Sequence, residues 1–507
     1  MTVPMAIPVV VALTLLLSAC VNLPERGEPK VAVPETWEGA PEGAIATTGS
    51  SATELAWWES FNDPALTQLI ELAQQRNLDL QVADARIREV RALQRAANAS
   101  LFPSLSATGG FTRQRSISGS IDNIGAEPAT AGGVANLANN GAVIRNLGQV
   151  GLEVSWEADV FGRLRSQARA AQADVGVVQA DRDAARLTLL AEVARNYVEY
   201  RLYQVQTGLA QQTATAQERT ARISRLRFEQ GLASRLDVER SIAELSVTRS
   251  QLPAARELAE SARYRLSLLL ASTPDELSEL LQTGLPVQEN PPQQGSIQQR
   301  TVTLPSSDPL TLLLSPNDIL ALRPDVRAAR LRLISSTALR DASEALQYPT
   351  LTITGLLGLQ NRDLDELLSA GSRVWSIGGG VAAPLLDFGR IRANIDAADA
   401  RQEQAFLQYE RTIRDALRDT QTAIVLYTQG VLRQQELARA RDASSKATAL
   451  ARLQYQEGTL SLLDVLIAER ASYDAQLAWS QAAANVATRT VALYQAMGVV
   501  PSKQTAS

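Results

Sequence analysis

Few side chains in this sequence could do covalent chemistry. There is one cysteine, Cys20, and no histidine. Without histidine there is no Ser-His-Asp or Cys-His mechanism and no His-ligated zinc or haem. A single cysteine allows no internal disulfide. Acids and bases, 54 against 49, are interspersed for a formal net charge of −5, so nothing points to nucleic acid. Most of the Asp and Glu follow helical patterns and read as solvated faces. Gly378-Gly379-Gly380 is a candidate phosphate cradle, but it lies within a strand pattern and lacks a following Lys-Ser/Thr. Close strand packing explains it better. Two aspartates stand out by position. Asp237 and Asp464 each lie in a Leu-Asp-Val triplet shortly after a glycine, Gly231 or Gly458, with Ser234 and Ser461 inside the turns. Glycine there ends a helix and reverses the chain. Asp near the next N-terminus can cap the returning helix.

Cys20 follows an apolar run over residues 3–17 and the triplet Leu17-Ser18-Ala19. The run is too short to span a membrane comfortably and reads as a cleaved targeting segment, although residues 1–6 carry no Lys or Arg. Leu17-Ser18-Ala19-Cys20 resembles the lipobox of bacterial lipoproteins. That resemblance implies a signal peptide over 1–19, a diacylglyceryl group on the Cys20 sulfur and acylation of the new N-terminus. Beyond Cys20 no run of 18 apolar residues occurs, so any membrane crossing falls to strands in a closed barrel.

An internal duplication organises the elements. Phe161-Gly162-Arg163 recurs as Phe388-Gly389-Arg390 at an offset of 227, and the register holds through Gly231/Gly458 and Asp237/Asp464. A second match, Phe102-Pro103-Ser104-Leu105 with Tyr348-Pro349-Thr350-Leu351, has an offset of 246. The first copy therefore carries 19 more residues, in a Gly/Ala/Asn-rich stretch over 119–148 that reads as an exposed loop. Alternation of apolar and polar residues predicts strands near Ser104–Thr112, Gln149–Ala158, Thr350–Gln360 and Ser376–Leu385. Their apolar face fits a soluble core or lipid, and the pattern alone leaves both open. Arg163–Gln230 has thirteen alanines, two glycines and no proline, and its copy Arg390–Glu457 has one glycine and no proline. Each predicts a helix about 100 Å long at 1.5 Å per residue. Shorter helices are expected at Leu78–Ser100, Arg235–Leu270, Pro324–Leu346 and Leu462–Met497, with a slight kink at Pro253. Residues 271–315 read as an irregular connecting belt.

Trp57-Trp58-Glu59-Ser60-Phe61-Asn62-Asp63-Pro64, Leu322-Arg323-Pro324-Asp325-Val326, Leu386-Asp387-Phe388-Gly389-Arg390 and the two glycine turns resemble the TolC family of outer-membrane efflux factors. The branch they are most similar to is the lipoprotein one that serves tripartite pumps. The resemblance runs from Trp57 to Gly498. It implies a mixed α and β membrane protein with duplicated helix–strand–strand–helix–helix halves. Three copies, a homotrimer, would share a 12-stranded β-barrel continuous with a long periplasmic α-helical barrel. It also implies an adaptor protein docked at the tip turns Gly231, Ser234, Gly458 and Ser461, an inner-membrane pump behind it, outer-membrane lipid around the barrel, and no cofactor. Asp464 and Tyr455 match closing contacts of similar proteins, with Asp237 and Phe228 as first-half counterparts. Leu460 stands where some relatives have a basic residue, which leaves Arg452 or Arg235 to supply the charge.

The expected layout is a signal peptide (1–19), a lipidated N-terminal segment (20–76) and a first repeat (77–270, hairpin 104–160). A belt (271–322), a second repeat (323–498, hairpin 350–386) and a tail (499–507) follow. The expected function is a non-enzymatic, passive exit duct for drugs or other small toxic solutes across the periplasm and outer membrane. A duct for secreted polypeptides of type I systems is the alternative; an envelope enzyme or structural lipoprotein has no catalytic constellation to support it.

Overall fold

The computed structural model describes residues 31–39, 45–47, 56–117, 142–283, 304–305 and 312–499. Cys20, residues 118–141 of the expected loop and residues 500–507 of the tail lie outside the described residues. Strand β1 (Ile45–Thr47) is followed by a 3-10 turn (Trp57–Phe61) and helices α1 (Pro64–Arg76) and α2 (Leu78–Ala99). Strands β2 (Ser104–Ile117) and β3 (Ala142–Ala158) lead into the long helix α3 (Arg163–Glu229) and its return α4 (Arg235–Leu269). The connecting segment holds α5 (Pro274–Thr283), β4 (Leu312–Leu314) and α6 (Pro316–Leu322). The second half repeats the first with α7 (Pro324–Glu344), β5 (Thr350–Asn361), β6 (Arg373–Ala382), α8 (Arg390–Gln456) and α9 (Leu462–Met497).

Both long helices have 67 residues, which gives about 100 Å. Each starts after a glycine in the left-handed region, Gly162 at φ 80° and Gly389 at φ 87°, where a side chain would be strained. An aspartate satisfies the first free amides at both starts. Asp159 accepts from the amides of Leu164 and Arg165 at 3.0 and 2.8 Å; Asp387 accepts from those of Gly389 and Ile391 at 3.1 and 2.8 Å.

The shorter helices stack end to end beside the long ones, and the joint is duplicated. The Asn77 side-chain amide donates to the Leu269 carbonyl at 3.0 Å, and the Arg323 guanidinium donates to the Ala496 carbonyl at 2.9 Å. Residues 77 and 323, and 269 and 496, are the same positions under the two repeat offsets. Pro253 lies inside α4 without ending it.

A cluster of apolar residues packs against the middle of the long helices. Trp57, Trp58, Phe61, Leu66, Leu69 and Ile70 are buried against Tyr197 of α3, Ile424 of α8 and Tyr494 of α9. Each full aliphatic burial contributes about 1.5–3 kcal/mol. Asp63 caps α1 by accepting from the amides of Ala65 and Leu66, and also accepts from the Tyr197 hydroxyl at 2.8 Å. Burial pushes the Tyr197 hydroxyl above its ordinary pKa, so it remains a donor. The connecting segment was expected to be irregular from its Pro, Gln and Ser content; its described residues, 271–283, 304–305 and 312–315, include a helix and a strand. Leu277 and Leu281 of α5 and Leu313 and Leu314 of β4 join this core, β4 pairs in parallel with β1, and the Trp37 indole donates to the Leu314 carbonyl at 2.8 Å.

Candidate functional site

The four long strands form one antiparallel sheet in the order β2-β3-β5-β6. Several boundaries differ from the sequence reading: β2 runs on to Ile117 and β6 starts earlier, at Arg373. β3 starts at Ala142, paired with Ile117, so residues 142–148 are strand rather than loop. β6 runs Arg373–Ala382 rather than to Leu385, because Ala382 faces Thr350, the first residue of β5, and Pro384 has no amide to donate. Gly379 and Gly380 lie within β6 as expected, but a Cβ at either would meet nothing within 4 Å. Close packing therefore does not explain them in this sheet. Gly151 opposite Gly358 is where close approach does require glycine: a Cβ on Gly358 would sit 2.6 Å from the Val150 carbonyl oxygen.

Register settles the character of each face. Leu105, Val154, Gly355 and Ile377 form one row across the sheet, and Ala107, Leu152, Leu357 and Trp375 form the next row on that face. Nothing covers them: Leu357, Trp375 and Ile377 are 64%, 75% and 78% exposed. The opposite face carries the rows Ser104-Ser155-Thr354-Gly378 and Ser106-Glu153-Leu356-Ser376. An uncovered apolar face opposite a wet one is the pattern of a lipid-facing barrel wall, and strands of 10 to 17 residues suffice to cross a bilayer. No described helix is long and apolar enough to cross a membrane. Among the described residues, both outer strands, β2 and β6, have a neighbour on one side only.

At the far end of the long helices the two turns sit together. The Arg227 guanidinium lies over the Tyr455 ring at 4.4 Å and donates to the Tyr455 carbonyl. Gly231 and Gly458 have φ 73° and 78°, as chain reversal requires. Both aspartates act as caps within the chain. The Ser234 hydroxyl accepts from the Asp237 amide at 3.1 Å while the Asp237 carboxylate accepts from the Ser234 amide at 3.2 Å, a full capping box. The Ser461 hydroxyl accepts from the Asp464 amide at 3.3 Å and donates to the Asp464 carboxylate at 2.6 Å. Phe228, Leu232, Leu236 and Ile467 leave apolar surface exposed around the turns. Neither candidate arginine reaches Asp464. Arg235 lies 3.7 Å from Glu239 on its own helix, and Arg452 pairs with Glu469 at 2.8 Å.

Glu469 was not singled out from the sequence. Its side chain is 1% exposed, one oxygen accepts from Arg452 and from the Thr220 hydroxyl, and the other has no partner among the described residues. Gln217 and Ser224 are buried on α3 with unpartnered polar atoms. The available signal was the spacing of Leu462, Val465, Glu469 and Ser472, which places a carboxylate in a buried stripe of α9. Among the described residues no group of three His, Cys, Asp or Glu could hold a metal.

The family model described as outer membrane efflux protein matches residues 69–272 and 315–499, both halves of the duplication. The chain belongs to the outer membrane efflux protein family. It is 30% identical to the toluene efflux pump outer membrane protein TtgF of Pseudomonas putida, over 96% of this chain and 95% of that one. Among solved structures it is similar to the outer-membrane channel OprN at a TM-score of 0.80 and 28% identity, covering 94% of this chain and 98% of that chain. The open state of the MtrE outer-membrane channel of Neisseria gonorrhoeae matches at 0.76 and 27%, covering 96% and 100%. This member of the family is an outer-membrane efflux channel subunit and not an enzyme. Its fold joins strands for a β-barrel to helices for a helical barrel.

Proposed function

We propose that three copies share one twelve-stranded barrel and serve as the exit duct of a tripartite pump. An inner-membrane transporter hands small, apolar toxic solutes through a periplasmic adaptor to the tip of the tube. The observation that carries this reading is the four-stranded sheet with one bare apolar face and two open edges. Four strands cannot close a barrel, and an open edge does not persist in hydrocarbon. The similarity to a toluene efflux pump component supports the solute class. Gly231, Ser234, Gly458 and Ser461 mark the surface for the adaptor. Asp464, Tyr455, Asp237 and Phe228 form the closing ring, where each aspartate both caps its helix and meets a neighbouring copy. Cys20 carries the lipid; two or more acyl chains give stable anchoring where one would be marginal.

The test is solute accumulation. A strain lacking this chain but retaining its pump and adaptor should accumulate an apolar fluorescent solute, and the gene supplied in trans should restore export. Unchanged accumulation together with loss of a secreted polypeptide would overturn the reading in favour of protein secretion. Mass spectrometry of the mature N-terminus tests the anchor separately: an unmodified peptide running through Cys20 would refute it.

A further inference from the structure

The outward face of the sheet changes character at one end. The helices join the strands at Ser104, Ala158, Thr350 and Ala382, so Ile117 and Asn361 lie at the opposite end, the one turned away from the periplasm. From the row Ala158-Leu351-Val381 to the row Phe111-Gly148-Asn361 the outward face carries apolar side chains and glycine, with Arg373 and Asn361 as the polar exceptions. Residues 351 to 361 cover about 34 Å of strand, which a tilt of about 45° reduces to about 25 Å, the height of a lipid-facing band. The next two positions of β2 on this face are Arg113, opposite Asn146, and Arg115, opposite Ile144.

The arginines at this rim differ from those at the other end of the band. Where the helices begin, Arg163 pairs with Glu157 at 2.7 Å and Arg165 with Asp159 at 3.2 Å. Arg113, Arg115 and Arg373 are exposed, and among the described residues none of them pairs with a carboxylate. The turn between β5 and β6 holds Asp363, Asp365 and Glu366, yet Arg373 pairs with none of them. The described outward face of the four strands carries no acid. On the inner face Arg145, opposite Gln114, already has a partner. The outward rim thus presents positive charge with no counter-charge of its own, directly above an apolar wall.

We propose that Arg113, Arg115 and Arg373 dock the headgroup phosphates of the glycolipid that forms the outer leaflet of the outer membrane. Such a ligand is a phosphorylated sugar headgroup on acyl chains, and the surface has a part for each. The apolar rows, with Trp375 and Ile377 exposed at 75% and 78%, take the chains. The arginines stand at the level where chains end and phosphates begin. A guanidinium holds phosphate through two parallel N–H donors, which a compact ammonium does not. Arg113 and Arg115 are two residues apart on one face, about 7 Å, so one headgroup spans both. Arg373 starts lower, in the row of Leu359, and its long stem is able to carry the charge past the apolar wall to the headgroups. Arg113 and Arg115 lie on one edge strand and Arg373 on the other. In the shared barrel, the reading on which this grouping rests, those edges adjoin, and each joint between copies carries all three cations.

The test is native mass spectrometry of the full chain released from detergent, which reads copy number and bound lipid in one spectrum. The probes are lipid A, the phosphorylated anchor of that glycolipid, the same lipid A after enzymatic removal of its phosphates, and inorganic phosphate. The parent oligomer should retain lipid A and not its dephosphorylated form. Arg113→Gln, Arg115→Gln and Arg373→Gln should each weaken retention about fivefold, and the three together more than any one. Equal retention of the two lipids by the parent would overturn the proposal whatever the variants do, and so would unchanged retention in the triple variant. Displacement of the lipid by inorganic phosphate would assign the arginines to the free anion instead. Oligomers that show no preference for the phosphorylated lipid would overturn the docking alone. Single chains in the spectrum would overturn the shared barrel and the grouping of the three arginines with it.

Discussion

Leu356 and Leu357 are adjacent on β5 but lie in rows on opposite faces of the sheet. Leu357, in the row Leu152-Leu357-Trp375, would place an arginine near the middle of the lipid-facing band. That costs about 2–4 kcal/mol per chain at the bilayer midplane. Three copies in one barrel repeat the cost, to about 6–12 kcal/mol. Leu356, in the row Ser106-Glu153-Leu356-Ser376, would send the same arginine into water beside Glu153, at a cost within about 0.5 kcal/mol. The assay is denaturant-dependent unfolding from phospholipid vesicles, with Leu357→Arg and Leu356→Arg compared side by side. Leu357→Arg should fold poorly or unfold at clearly lower denaturant, while Leu356→Arg should match the parent. Equal costs for the two, or a larger cost for Leu356→Arg, would refute the assignment of the apolar face to lipid.

Three further outcomes are expected. Arg452→Ala leaves the buried Glu469 carboxylate without its cation. Losing a partner at a buried charge costs about 3–5 kcal/mol, reduced to about 1–3 kcal/mol here because Arg452 is 44% exposed; thermal melting should show it, and the added change Glu469→Gln should recover most of it. Asp464→Ala should raise single-channel conductance in a planar bilayer with the oligomer intact, whereas unchanged conductance with a lower melting temperature would leave Asp464 as a cap alone. Burial opposes ionisation of Asp325, but the Arg323 guanidinium and the Val326 amide hold its carboxyl below the usual 3.8. A depressed folded value means the pair's contribution is present above pH 3.8 and is lost as pH falls through the lower folded value. Asp325→Asn should therefore melt lower at neutral pH and show less of the further loss on acidification; a parallel loss in both proteins would contradict this.

Most of the architecture was legible because it is written twice. The long helices end within a residue of their predicted limits, since alanine-rich stretches without proline leave no alternative and glycine marks both ends. The belt was expected, but its regular elements were missed, for opposite reasons in its two parts. β1 and β4 have three residues each, too few for any periodicity to show. α5 is a ten-residue helix in a Pro- and Gln-rich neighbourhood, yet Pro274 at its start, Asp275 and Glu276 in its first turn, and Leu277 and Leu281 one turn apart were readable signs. Glu469 was hidden among acids that are solvated, because burial is a property of the helices around it and not of its own neighbours in sequence.

The most direct test of the central claim is electron cryo-microscopy of the purified protein in lipid nanodiscs. The account predicts a tube projecting about 100 Å from one face of the disc, the length of a 67-residue helix, with the described sheet inside the lipid. A particle without that projection, or helices embedded in the disc while the sheet stands in water, would contradict it.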